Sequence, residues 1–119
     1  MDAIIAQASE WGFGTRIFIL AANQVLADTS GRAFRISWVL NDHCPGDFTD
    51  VFRIPANVSF SSVPLSGPAV IQSAGWSPVD YWSRHQDRLA CSRDDFLKKM
   101  RRRIQLLDWS PELVEQGPA

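Results

Sequence analysis

The sequence predicts a Rossmann-like α/β fold of three layers, built on a small and mostly parallel sheet. Three observations predict it. A short apolar run at residues 4–6 precedes two closely spaced glycines, a long helical pattern follows them, and a second apolar run occupies residues 33–38. A strand, a helix and a strand in this order form a β-α-β unit, whose strands lie parallel with a right-handed crossover.

The first strand is predicted at residues 3–8 and the first helix at residues 15–29. The helix carries a broad apolar stripe on one face. The stripe includes Phe18, Ile19, Ala22, Val25 and Leu26. Gly31 follows at the position where a left-handed cap is favoured. We therefore expect a mostly buried helix that stops at this glycine.

The segment at residues 41–52 is rich in loop formers. Pro45 and Gly46 indicate a turn, and the aromatic spacing at residues 48–52 predicts a single helical turn that docks on the core. Short strands are predicted at residues 58–60 and 69–72.

Four prolines between residues 55 and 80 predict that long helices are excluded there. Three large aromatic residues stand close together: Trp76, Tyr81 and Trp82. They are able to stack on a sugar ring, but residues with so much apolar area are more often buried. We expect them in the core.

The last long helix is predicted to begin at Ser92, with Asp95 completing a motif similar to a capping box. Its apolar face consists of Phe96, Leu97, Met100, Ile104 and Leu107. The opposite side carries Lys98, Lys99, Arg101, Arg102 and Arg103. These cations predict a solvated face, and the net charge of −1 argues against the alternative of nucleic-acid binding. A further helix is predicted from Ser110.

The turn from Gly12 to Arg16 is a candidate phosphate-binding site, because it lies between the first strand and the first helix. Glycines permit unusual backbone conformations and close approach of a ligand, and the first N–H groups of a helix point toward a bound anion. Arg16 adds a cation with fork geometry. A pair of glycines is a common pattern, so the alternative is a tight turn before a buried helix.

Several motifs in order resemble the amino-terminal half of the fucosyltransferase-like glycosyltransferases, which include nodulation-type and protein O-fucosyltransferase-like enzymes. The segments are Gly12-Phe13-Gly14-Thr15-Arg16-Ile17, Leu20-Ala21-Ala22, Thr29-Ser30-Gly31-Arg32, Ile36-Ser37-Trp38, Asn41-Asp42-His43-Cys44 and Phe48-Thr49-Asp50-Val51-Phe52. The family pattern has asparagine where this chain has Thr15, which keeps a hydroxyl but lacks the paired donor and acceptor of an amide.

The resemblance implies one half of a GT-B fold, in which a second domain holds most of the nucleotide sugar on a strand with an H-x-R-R-x-D-like motif. No such motif precedes Ala119. The resemblance therefore indicates a truncated product, a fragment, or a half completed by a missing domain or by a homodimer. Its implied nucleotide-sugar site consists of Gly12, Gly14, Thr15, Arg16, Trp38, Asn41, Asp42 and His43. Catalytic residues stay unassigned.

The leading hypothesis is an acceptor-side glycosyltransferase half in which Arg16 and the amides of Gly14 and Thr15 face the diphosphate of a GDP-fucose-like donor. These groups would stabilise the charge that develops on the leaving nucleoside diphosphate. The acceptor would be a glycan or a protein, and little activity is expected without the second half. The alternatives are a non-catalytic binding or interaction module derived from that fold, and an unrelated β-α-β protein.

Composition bounds the remaining expectations. A chain of 119 residues with five tryptophans predicts a single globular domain over residues 1–119. No apolar run approaches the length of a membrane span, so we expect a cytoplasmic protein without membrane or nucleic-acid partners. Cys44 and Cys91 are expected as free thiols, and neither a D-x-D motif nor a His/Cys cluster indicates a metal or cofactor.

Overall fold

The computed structural model describes residues 3–8, 11–42, 44–54, 58–62, 70–71 and 77–107. In chain order the elements are β1 (Ile4–Ala8), α1 (Phe13–Ser30), β2 (Phe34–Trp38), a 3₁₀ turn (Phe48–Asp50), β3 (Ser59–Ser61), β4 (Val70–Ile71), α2 (Pro78–Leu89) and α3 (Arg93–Gln105). Two sequence predictions, the helix from Ser110 and the burial of Trp76, lie outside the described residues.

The strands form one parallel sheet in the order β3-β2-β1-β4. β1 and β2 pair in register from Ile4 opposite Phe34 to Ala8 opposite Trp38. This confirms the predicted α/β class with its β-α-β unit and small parallel sheet. β1 is central, and all five of its residues are buried, as expected for an apolar strand with a neighbour on each side.

α1 packs on β1 and buries a wide face that includes Ala21 and Ala22, whose small side chains allow close approach to the sheet. Its end matches the prediction. Gly31 has φ 66°, in the left-handed region, and its N–H donates to the carbonyl of Asp28 at 3.3 Å. The helix begins two residues earlier than predicted, so Gly14 lies inside its first turn.

An aromatic cluster fills the space between α1 and the end of β2. Trp38 and Phe48 have ring centroids 5.6 Å apart, and Phe48 and Phe52 have theirs 5.2 Å apart. Phe13 of α1 packs edge-on against Trp38 at 5.3 Å. The predicted docking of residues 48–52 on the core is therefore confirmed.

The exclusion of long helices up to residue 80 is wrong at its end, because α2 begins at Pro78. Ser77 caps this helix, and its side chain accepts from the N–H of Asp80. The N–H groups in the first turn of a helix have no intrahelical acceptor, so a proline, which has no N–H, loses no hydrogen bond there. A proline at this position therefore starts a helix rather than breaking one. α2 packs against α1 and α3, and Tyr81 is buried, as predicted.

α3 begins at the predicted place, with the Ser92 side chain accepting from the N–H of Asp95. Phe96 and Met100 are buried against α1. The cationic side faces outward, since Lys98, Lys99, Arg101 and Arg102 are all exposed. The predicted division into an apolar and a solvated face is confirmed.

Candidate functional site

The candidate site is the rim at the carboxyl ends of β1 and β2. Because these strands are parallel and paired as far as Ala8 and Trp38, the segments that follow them emerge side by side. After β1 comes the turn that starts α1, and after β2 come Val39 and Asn41. Ligands of open α/β sheets bind in this crevice.

The first turn of α1 presents its backbone to solvent. Gly12 is the N-cap residue and supplies no capping side chain, and no acidic residue lies in the first turn. Gly12 and Gly14 are exposed and Thr15 is half-buried. The N–H groups of the first helical residues lack intrahelical acceptors, and they concentrate the positive end of the helix dipole. This rim is chemically suited to an anion.

The two glycines contribute access rather than an unusual backbone conformation. Gly12 has φ −78° and ψ 175°, and Gly14 is helical with no atom within 4 Å of the place a Cβ would take. The left-handed residue in this turn is instead Trp11, with φ 68°. The expectation that glycine's conformational freedom shapes this turn is therefore wrong. The absence of side chains leaves the amides reachable.

Arg16 lies beneath the rim instead of facing the solvent, with 0% of its surface exposed. Its Nε donates to the carbonyl of Trp11 at 3.0 Å, and its two terminal nitrogens donate to the carbonyl of Val39 at 2.7 Å and to Asn41 Oδ1 at 3.2 Å. Burial lowers the pKa of the guanidinium from its ordinary value, and the nearby Cys44 acts in the opposite direction.

These contacts change the role expected of Arg16. A side chain that is fully buried and bonded to three residues in two segments of its own chain does not meet a diphosphate arriving from solvent. It joins the turn before α1 to the segment after β2, which fixes the two sides of the rim relative to each other. Arg16 is a positioning residue in this structure.

Trp38 is likewise part of the support and not of the exposed rim. It is fully buried, its Nε1 donates to the carbonyl of Gly46 at 3.0 Å, and the Arg16 guanidinium lies 5.2 Å from its ring centroid. At that distance the ring face attracts the cation. The expectation that Trp38 touches the ligand is therefore corrected by its burial.

Asn41 closes a turn. Its N–H and carbonyl pair with those of Cys44 at 3.2 and 3.1 Å, and its Oδ1 also accepts from the Cys44 N–H at 3.3 Å. Asp42 is exposed in this turn, whereas His43 lies outside the described residues. Of the predicted polar group, Asn41 supports the rim and Asp42 faces the solvent there.

Sequence reasoning missed Trp11 and Val39, whose carbonyls hold Arg16. One signal was available. Arg16 stands four residues before Leu20 and seven before Asn23, both of which are buried in α1, and this spacing puts all three on one helix face. An arginine on a buried face is an indication of internal bonding.

Both cysteines are free thiols, with Cys44 buried and Cys91 half-buried. Among the described residues, no group of three histidine, cysteine or acidic side chains is arranged to hold a metal ion. Within the same residues, none of the helices has the length and apolar character that crossing a bilayer requires.

Comparison with protein-family models, with curated proteins and with solved structures finds no match to this chain.

Proposed function

We propose that this chain is a glycosyltransferase-like domain, similar to the acceptor-side half of a fucosyltransferase, and that its rim binds the diphosphate of a nucleotide sugar. The observation that carries the proposal is the first turn of α1, which is uncapped, free of acidic side chains and open at the carboxyl edge of a parallel sheet. Phosphates bind at such helix ends because the backbone N–H groups and the dipole act together.

The roles of the residues follow from their positions. The amides of Gly14 and Thr15 donate to the diphosphate, and the Thr15 hydroxyl is a further donor in the same turn. Arg16 holds the two sides of the rim together from below. Donors that are already fixed stabilise the charge developing on a leaving nucleoside diphosphate without reorganisation.

The test is a calorimetric titration with GDP and with GDP-fucose, using Gly14→Asp and its matched control Gly14→Asn. Both side chains have room, because nothing lies within 4 Å of the added Cβ. The aspartate favours the helix end but repels a phosphate there, so we expect binding about tenfold weaker or worse. The asparagine has the same shape without the charge, so it restricts access to the amides to the same extent, and it is expected to bind more tightly than the aspartate by about tenfold.

An absence of heat at millimolar ligand, or equal affinity of the two variants, would contradict the diphosphate site. Arg16→Ala is a poor probe of this site. Since Arg16 is buried and bonded to three residues on the two sides of the rim, its loss would weaken binding by disturbing the rim as a whole. Unfolding midpoints of both Gly14 variants, measured in parallel, separate loss of binding from loss of fold.

A second candidate is a binding module without transferase activity. One observation favours it: among residues 11–16 and 38–42, the cation Arg16 is buried, so no cationic side chain in these segments reaches the diphosphate from solvent. Measuring GDP released from GDP-fucose with a glycan acceptor separates the candidates. Release above a blank indicates a transferase, whereas saturable binding without release indicates a module.

We also propose that the protein is cytoplasmic. The two unbridged thiols, Cys44 and Cys91, support this location.

A further inference from the structure

A cavity lies at the carboxyl end of α1, between its last turns and the carboxyl half of α3. It has a volume of about 420 Å³, which is within the usual range for small-molecule sites. Its apolar lining is the exposed Leu106 and the almost fully buried Val25, while Lys99, Arg102 and Arg103 bring cations. We call it the α1–α3 cavity.

The charges around the α1–α3 cavity do not cancel. Asp28 is the only acidic side chain that lines it among the described residues, and it forms an ion pair with Arg103. That pair joins α1 to α3 and fixes one wall. Lys99 and Arg102, three residues apart on the exposed face of α3, have no ion-pair partner within the described part of the chain. Among the described residues, two cations therefore face the cavity without a counter-charge.

The helix dipole accounts for part of this arrangement but not for all of it. Cations in the last turn of a helix are favourable, which explains Arg102 and Arg103 on α3. The dipole does not explain why Lys99, which precedes that turn, lines the same cavity. It also does not explain why Leu106 is 55% exposed beside the cavity. Cations next to exposed apolar surface fit a ligand that has both characters.

We propose that the α1–α3 cavity binds a phosphomonoester that carries an apolar body. The phosphate lies between Lys99 and Arg102, where the guanidinium donates two parallel hydrogen bonds and the ammonium adds a point charge. The apolar body packs on Val25 and Leu106. The ligand is either a soluble metabolite or the head group of a single-phosphate lipid.

This site is separate from the proposed diphosphate site. Asp28 lies fifteen residues along α1 from Phe13, which is about 22 Å at the rise of an α-helix. The diphosphate site and the α1–α3 cavity can therefore be tested independently of each other. A chain that fails to bind GDP is still a valid subject for the experiment on the α1–α3 cavity.

The experiment uses 1-naphthyl phosphate as the probe, with inorganic phosphate as the head alone and 1-naphthol as the body alone. The variant is Lys99→Gln with Arg102→Gln. The control is Lys98→Gln with Arg101→Gln, which removes the same charge from the same exposed face of α3 but from residues that do not line this cavity. Amide shifts in a heteronuclear NMR titration report both affinity and position.

We expect saturable shifts at Val25, Thr29 and Leu106 with 1-naphthyl phosphate, and weaker binding of each half of the probe. The cavity variant is expected to bind about tenfold more weakly or worse, because two charge-assisted contacts are lost. The control is expected to bind within about twofold. Equal weakening by both variants, shifts confined to other surfaces, or no saturation at millimolar probe would overturn the proposal.

Vesicles separate the two sources of the ligand. Sedimentation with phosphatidylcholine vesicles that contain phosphatidic acid, lost in the cavity variant and kept in the control, assigns the site to a lipid head group. Saturable binding of 1-naphthyl phosphate without vesicle association assigns it to a soluble phosphomonoester. Vesicle association that survives in the cavity variant, without binding of the soluble probe, overturns the proposal.

Discussion

The two ends of α1 differ in how backbone and side chains share the polar chemistry. At the amino end the N-cap is Gly12, the first turn has no acidic side chain, and the nearest cation, Arg16, is buried. At the carboxyl end the N–H of Gly31 donates back to the carbonyl of Asp28, and Asp28 pairs with Arg103 of α3. One end exposes backbone dipoles, whereas the other exposes charged side chains.

The difference indicates how strongly substitutions at each end of α1 should destabilise the fold. The amino end depends on a buried arginine that keeps the surrounding segments in place, so changes beneath the rim should be costly. The carboxyl end carries one partly exposed ion pair, Asp28–Arg103, and such pairs contribute little to stability because water and salt screen them. Substitutions at the two ends should therefore differ in size, and for glycine even in sign.

Replacing Arg16 with alanine should have the largest effect. The change leaves the carbonyls of Trp11 and Val39 and the Oδ1 of Asn41 without this donor, and it opens a cavity under Trp38. We expect a loss of about 3 kcal/mol or more in the free energy of unfolding. Urea denaturation followed by tryptophan fluorescence measures it.

Two further variants test whether the loss of stability in Arg16→Ala comes from the buried guanidinium. Arg16→Lys keeps the charge but replaces a planar fork with a single ammonium, so it should recover only part of the loss. Arg102→Ala, on the exposed face of α3, should leave the unfolding midpoint nearly unchanged. If Arg16→Ala and Arg102→Ala were equally mild, the account of Arg16 as the internal tie between the two sides of the rim would be abandoned.

The middle of α1 provides the next largest effect, through a buried polar pair. The Tyr81 hydroxyl donates to Asn23 Oδ1 at 2.9 Å, and Asn23 Nδ2 donates to the carbonyl of Ile19 at 2.8 Å. Tyr81→Phe removes the donor and leaves a buried acceptor, so we expect a loss of about 1 to 2 kcal/mol. Thermal unfolding by calorimetry measures the change.

A double variant tests whether that loss comes from the missing hydrogen bond. Replacing both partners with apolar residues, as Tyr81→Phe with Asn23→Leu, should cost less than the two single changes added together. An additive result would mean that the Tyr81 hydroxyl and the Asn23 side chain are not energetically coupled. The Tyr81 ring stacks on Phe96 at 5.8 Å, and phenylalanine keeps this stacking, so the cycle isolates the contribution of the hydroxyl.

The glycines at the two ends should respond with opposite sign. Gly31 has φ 66°, so Gly31→Ala should cost about 1 kcal/mol because a Cβ is disfavoured there. Gly14 is helical with open space around it, so Gly14→Ala should raise the free energy of unfolding by about 0.5 to 1 kcal/mol. Denaturation curves of the two variants, compared with that of the unchanged chain, measure both changes in the free energy of unfolding. Destabilisation by Gly14→Ala would indicate that the first turn of α1 needs glycine after all.

The fold was predictable where local pattern decides it. The β-α-β unit followed from two apolar runs around a long helical stripe, and the end of α1 followed from Gly31. α2 is not predicted because Pro78 is one of four prolines that argue against a long helix, although a proline after a serine cap is typical of a first turn. The distinction depends on which position the proline occupies, and composition alone does not show that.

The candidate site was predictable in place but not in detail. The strand order brings the ends of β1 and β2 together, so the rim itself followed from topology. The orientation of Arg16 did not, because its partner Val39 lies 23 residues away in sequence and its burial depends on the aromatic cluster around Trp38. A long-range contact of this kind is set by packing, and no local motif encodes it.

Among the substitutions expected to lower stability, Asp28→Asn at the carboxyl end of α1 should have the smallest effect. The Asp28–Arg103 pair is partly exposed, so its loss should cost about 0.2 to 1 kcal/mol and less at high salt. The same change removes the only acidic group lining the described part of the α1–α3 cavity and releases Arg103. Affinity for 1-naphthyl phosphate should therefore rise as stability falls slightly, because a third cation becomes available to the phosphate. Weaker binding would mean instead that Asp28 stabilises the shape of the cavity more than it competes with the phosphate for Arg103.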